Sequence, residues 1–226
     1  MRRPPRSGNS RRIRPATVNN PKKLQIRAYL EGETEEIYLV HWNREYRDVV
    51  VDIYPQFGLT PLNLVEQAIK DRTADLRAAK KRRGPAYDEY WCVFDVDQHS
   101  GLMDALTLAA HNDIKAALSN PCLELWFLLH HQRQTAYIDR KAVQKLAYAK
   151  MGCRKNRMNE SVLDVLVGNH DEAMRLAQAL DQWHAGNDTK PPDNNPSTNV
   201  WELTQTIRQA ASLPNTGAPL DQSREQ

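Results

Sequence analysis

This sequence predicts an α/β protein in which a parallel sheet is flanked by helices, with a helical C-terminal extension. Three observations carry that expectation. Apolar runs of strand length alternate with segments of helical period through the first half of the chain, which is the pattern of strand–helix–strand crossovers. The run Trp91-Cys92-Val93-Phe94 lacks strict polar alternation, as befits a central strand covered on both faces. Beyond residue 135 the apolar positions recur only at helical spacing.

Taken in order, residues 1–20 combine Arg, Pro, Ser, Asn and Gly with almost no apolar content. Such a segment cannot bury enough surface to offset its ordering entropy, so a disordered basic arm is expected. Leu24, Ile26, Ala28 and Leu30 alternate with Lys23, Gln25, Arg27 and Tyr29 and read as a first strand. It runs into Glu31-Gly32-Glu33-Thr34-Glu35-Glu36, where Gly32 permits a tight turn and acids in a first helical turn complement the backbone dipole. Asp48–Tyr54 is a second strand, stopped by Pro55. Thr60-Pro61 reads as a cap and first helical residue, with Leu62, Val65, Ala68 and Ile69 on one helical face before Lys80-Lys81-Arg82-Arg83. The strand ending in Asp95-Val96-Asp97 follows, then a helix over Met103–Asn112 and a fourth strand over Ile114–Leu118. Asn120-Pro121 suits a helix start, and the helix beyond it is almost wholly apolar except for Glu124. Further helices are expected over Asp139–Lys150, Glu160–Val167, His170–Ala185 and Thr198–Ala211, with a polar, proline-rich loop at 186–197. The expected divisions are a basic arm (1–20), an α/β core (21–135), the helical extension (136–211) and a flexible tail (212–226).

Charge is unevenly distributed. The first 23 residues hold eight Lys or Arg and no acid, which leaves 23 bases against 28 acids in the remainder. A basic arm on a mildly acidic body suits phosphate neutralisation as well as plain solubilisation. Nothing approaches an 18-residue apolar span and no signal-like core opens the chain, so a soluble cytoplasmic protein is expected. Cys92, Cys122 and Cys153 form no C-x-x-C pair and read as buried thiols rather than a disulfide framework.

The chemistry is expected where the strands end. In open α/β sheets, sites gather at the carboxyl ends of strands. Asp95 and Asp97, at i and i+2 of an extended segment, point the same way. A lone D-x-D is also an ordinary polar strand end, and its context gives it more weight. Glu31 ends the first strand, Glu35 lies a helical turn later, and Glu124 follows the fourth strand. Five acids from three connections repel one another unless cations lie between them. Hard oxygen ligands of this kind suit one or two Mg²⁺ or Mn²⁺ ions. A lone Glu124 in an apolar helix must be paired, protonated or metal-bound if it is buried. His130 and His131 could be ligands but read more simply as packed histidines.

Four segments carry a resemblance. Leu30-Glu31-Gly32-Glu33-Thr34-Glu35, Val93-Phe94-Asp95-Val96-Asp97, Ser119-Asn120-Pro121-Cys122-Leu123-Glu124-Leu125-Trp126 and Asn195-Pro196-Ser197-Thr198-Asn199-Val200 look like blocks of the RloB-like family, over about residues 24–208. That family is similar to Toprim-domain nucleases of the overcoming-lysogeny type. The resemblance implies a Toprim-like core with Glu31, Glu35, Asp95, Asp97 and Glu124 as metal ligands and Glu31, Asp95 and Lys155 as catalytic residues. Lys155 follows the family's aromatic-x-Lys segment, with Cys153 where the aromatic is usual. The resemblance also implies metal-dependent hydrolysis of DNA or RNA in anti-phage defence, beside an AAA- or ABC-type ATPase partner. Arg11, Arg12, Arg14 and Lys80, Lys81, Arg82 and Arg83 would contact the nucleic acid. The competing readings are a haloacid-dehalogenase-like phosphatase, a glycosyltransferase holding a nucleotide sugar, and a non-catalytic nucleic-acid-binding or ATPase-docking subunit.

Overall fold

Strand β1 (Gln25–Leu30) lies between β2 (Val50–Pro55) and β3 (Glu89–Asp95) in the computed structural model, which describes residues 23–56, 58–84, 87–96, 101–155 and 157–212. The connecting helices are α1 (Glu33–Glu45), α2 (Pro61–Lys80) and α3 (Leu102–His111), which leads to β4 (Lys115–Asn120). Then come α4 (Glu124–Leu129), α5 (Arg140–Met151), α6 (Glu160–Gly168), α7 (His170–Gly186), β5 (Ser197–Thr198) and α8 (Val200–Ser212). The sheet order is β2-β1-β3-β4-β5, parallel throughout except for the last pair. The α/β class expected from the sequence is therefore observed. The chain leaves β1 toward one edge for β2 and returns across it to β3, so the order reverses between β1 and β3. That reversal opens a crevice at their carboxyl ends, the usual place for a site in such sheets.

The continuous apolar run of β3 is explained by its two covered faces. Trp91 and Val93 join Ile26, Ala28 and Leu30 against α1 and α4 to α8, while Tyr90, Cys92 and Phe94 join Tyr29 against α2 and α3. Alternate side chains point to opposite faces, so both sets must be apolar. The two charged positions on the α2 side of the sheet are met directly. Arg27 donates to Asp52 at 3.0 Å, Asp75 at 2.8 Å and the Tyr87 hydroxyl at 2.9 Å, with Tyr87 under its guanidinium. Thr60 caps α2 by accepting from Asn63 N–H, with Pro61 in the first turn.

Three local expectations change. The polar loop at 186–197 ends in β5, a fifth strand that pairs antiparallel with β4. The pairing is held by Asn199, whose Oδ1 accepts from Leu118 N–H at 2.6 Å and whose Nδ2 donates to the Ala116 carbonyl at 2.9 Å. The apolar helix begins at Glu124 rather than at Asn120-Pro121, a cis peptide bond that leads into the turn before α4. Of the three thiols, Cys92 and Cys122 are buried but Cys153 is only partly so. No helix among the described residues is long and apolar enough to cross a membrane. The basic arm, with Arg11, Arg12 and Arg14, and the C-terminal tail beyond Ser212 lie outside the described residues.

Candidate active site

The crevice between β1 and β3 is a cleft of about 190 Å³ lined by Glu31, Gly32, Glu33, Thr34, Glu35, Asp95, Glu124, Arg140 and Lys155. Its acids arrive from separate parts of the chain by ordinary strand geometry. Leu30 pairs with Val93, and Glu31 N–H continues that ladder by donating to the Val93 carbonyl at 3.3 Å. This places Glu31 diagonally beside Asp95 at the end of the neighbouring strand. Glu124 comes from the first turn of α4, across β4.

Each inner acid is fixed by a particular neighbour. Asp95 is almost fully buried; its Oδ1 accepts from Leu123 N–H at 2.9 Å and its Oδ2 lies 3.0 Å from the Arg140 guanidinium. Glu124, also buried, accepts at Oε1 from the Tyr148 hydroxyl at 2.9 Å and Gln144 Nε2 at 3.2 Å. Such partners orient a carboxylate as outer neighbours orient a metal ligand. Glu35 folds back over the start of α1, where a β-carbon on Gly32 would come within 2.5 Å of its Oε2. Gly32 has an extended backbone, φ −140°. Its glycine thus leaves room for the Glu35 carboxylate, and is not needed for the tight turn expected from the sequence.

The acids crowd one another. Burial, and then the charges of Glu124 and Glu31, push Glu35 up to about 7, against the opposing pull of its own backbone N–H and Arg140. Burial and the neighbouring Glu35 hold the Asp95 carboxyl well above its ordinary value, with Arg140 opposing. A group of carboxylates under this strain favours a cation, and an all-oxygen donor set fits Mg²⁺ or Mn²⁺ in preference to thiolate-seeking ions.

Among the sequence-predicted residues, Glu31, Glu35, Asp95, Glu124 and Lys155 line this one cleft, with Lys155 exposed at its rim. Asp97 lies outside the described residues. Lys80, Lys81, Arg82 and Arg83 are placed elsewhere. Lys80 closes a 20-residue α2 that runs from the carboxyl edge of the sheet toward the other edge, and Lys81, Arg82 and Arg83 follow it, so about 30 Å of helix separates them from its start. His130 is buried in the core, with Nδ1 2.7 Å from the Trp126 carbonyl, and is not part of the cleft. Arg140 and the orienting pair Tyr148 and Gln144 escaped sequence reasoning; they carry no motif spacing, and only the packing of α5 against α4 reveals them.

A second group also could hold a metal ion. His41 and Glu45 of α1 and Asp164 of α6 each offer one ligand atom, all within 4.8 Å of one another, with His41 Nε2 3.2 Å from Asp164 Oδ1. None of the three lines the cleft. Among the described residues the cleft carboxylates are not gathered as tightly as this group.

Comparison with known proteins gives one match. A family model described as RloB-like protein covers residues 28–207. No curated protein and no solved structure matches the chain.

Proposed function

We propose, from the premise that this chain belongs to the RloB-like protein family, that it is a metal-dependent nuclease hydrolysing phosphodiester bonds in DNA or RNA. The observation that carries the reading is the meeting of Glu31, Glu35, Asp95 and Glu124, from three separate connections, in one cleft with Lys155 at its rim. A Toprim-like core fits the same arrangement.

Glu31, Glu35, Asp95 and Glu124 would hold one or two divalent ions through carboxylate oxygens, with Asp97 as a further candidate. Such an ion supplies Lewis acidity toward the scissile phosphate and lowers the pKa of the attacking water. The protein does the remaining work. Leu123 N–H and the Tyr148 hydroxyl keep Asp95 and Glu124 turned to fixed positions. Lys155 adds positive charge where the pentacoordinate phosphorus is most anionic. The water oxygen bonds to phosphorus as the bond to the leaving oxygen breaks, and that oxygen departs with a proton. The basic arm and Lys80–Arg83 would contribute sequence-independent, salt-sensitive binding, the latter on a surface away from the cleft.

The role as effector of an AAA- or ABC-type ATPase in anti-phage defence belongs to the same proposal and is supported by the family resemblance alone. The deciding experiment incubates plasmid DNA and tRNA with the full chain and Mg²⁺ or Mn²⁺, with and without the ATPase. Cleavage that disappears in EDTA and in Asp95→Ala is expected. Equal cleavage in EDTA defeats the mechanism, and binding without cutting in every condition favours a docking subunit.

A further inference from the structure

A cation sits in the cleft where the acids alone would be expected to face an ion. Arg140 opens α5 directly after its cap Asp139, whose Oδ1 accepts from Ala142 N–H at 3.0 Å. A positive charge in a first helical turn opposes the helix dipole, so the stability of α5 gives no reason for an arginine there. Its side chain instead reaches Asp95 Oδ2 at 3.0 Å. The other oxygen of Asp95 is already taken by Leu123 N–H. The Asp95 oxygen that no backbone group orients is therefore the one that faces Arg140. The guanidinium also has solvent beside it: the Arg140 side chain is 39% exposed against 10% for Asp95.

We propose that Arg140 is the stand-in cation of the ion-free cleft, yielding Asp95 Oδ2 when a divalent ion binds and moving its guanidinium to the non-bridging oxygens of the bound phosphodiester. This rests on the metal-nuclease reading and adds to it a substrate-contacting residue. A planar guanidinium fork matches two phosphate oxygens at once, which an ammonium does not. Because ion and guanidinium compete for one oxygen, each weakens the other's hold on Asp95. The exchange keeps the buried carboxylate compensated in both states, so it is never left as an isolated buried charge.

The test uses the full chain and Mn²⁺ as the probe. Without nucleic acid, Arg140→Gln is expected to bind Mn²⁺ roughly two- to tenfold tighter than wild type, the scale of losing one competing, partly exposed ion pair. Its cleavage turnover should fall about 10²-fold, and Arg140→Lys should recover little of it. A Mn²⁺-bound crystal structure of the unaltered chain, which needs no variant to fold, should show Arg140 displaced from Asp95 Oδ2. Weaker or unchanged Mn²⁺ binding in Arg140→Gln, or an ion bound with Arg140 still at hydrogen-bond distance from Asp95, overturns the inference and leaves the nuclease reading standing. Absence of Mn²⁺ binding in wild type and variant alike removes the metal-nuclease reading, and this inference with it.

Discussion

Glu35 curls its carboxylate so closely over Gly32 that a β-carbon at that position would lie 2.5 Å from Oε2. The glycine therefore serves the acid. Gly32→Ala puts a methyl group against the end of a flexible side chain while the backbone stays in an extended region open to any residue. The expected outcome is a folded protein, with melting temperature changed by a few degrees at most, whose Mn²⁺ affinity falls roughly 10- to 100-fold as Glu35 is pushed aside. Titration calorimetry beside a thermal melt separates the two effects. A variant that melts far earlier and binds Mn²⁺ normally would contradict this role for Gly32.

Asp95 gives the complementary case of a crowded, buried acid that the proposed chemistry would need. Burial, and then the charges of Glu35, Glu124 and Glu31, hold its carboxyl above the ordinary range, with Arg140 opposing. Asp95→Asn keeps an oxygen for Leu123 N–H and removes one of the crowded charges. The ion-free variant should be as stable as wild type in urea unfolding, or more so. Cleavage should drop roughly 10²- to 10⁴-fold. A strongly destabilised but active variant would show that Asp95 is a structural residue.

Much of this arrangement was legible because it follows from local rules. The Tyr90–Phe94 run had to supply two apolar faces, Thr60-Pro61 had to cap α2, and acids at the ends of neighbouring parallel strands, Glu31 just after β1 and Asp95 closing β3, had to meet at one edge. What stayed hidden depends on contacts between distant parts of the chain. Arg140 sits 16 positions after Glu124 with no spacing to mark it, and becomes visible only once α5 is packed on α4. Strand β5 is two residues long beside a proline-rich segment, so no periodicity could announce it. Its pairing depends on an asparagine that reaches a strand some 80 residues earlier.

That asparagine is testable. Asn199 makes a two-way hydrogen bond with the backbone of β4, accepting from Leu118 N–H and donating to the Ala116 carbonyl. Asn199→Ala leaves both partly buried backbone groups without their side-chain partner, a loss of about 1–3 kcal/mol. The lower denaturation midpoint should come with faster amide exchange at Leu118. Unchanged exchange there would mean that β5 is held by something else.

Two of the four buried histidines, His130 and His170, should contribute to the acid side of the stability curve. Burial holds His130 at about 3, and burial together with the Arg208 guanidinium holds His170 at about 4, with Asp171 opposing. His170 Nε2 lies 2.9 Å from Thr204 Oγ1, and Arg208 donates to its Nδ1 at 3.2 Å, so the folded ring is neutral. Once unfolded, each histidine takes a proton below about pH 6.5. Between that value and the folded one, the unfolded chain binds more protons, so stability is present above pH 6.5 and is lost as pH falls toward 4. Glu35, raised to about 7, and Asp95 act with the opposite sign, because the folded chain takes up their protons first. The total curve in EDTA is then shallow, and the histidine contribution must be read as a difference. His170→Gln can still donate to Thr204 but has no ring to charge. Relative to wild type it should gain about 1 kcal/mol per pH unit as pH falls from 6.5 to 4, measured by urea unfolding at successive pH values. Parallel curves for the two proteins would mean that His170 carries the same charge folded and unfolded, and that its burial next to Arg208 does not govern its proton.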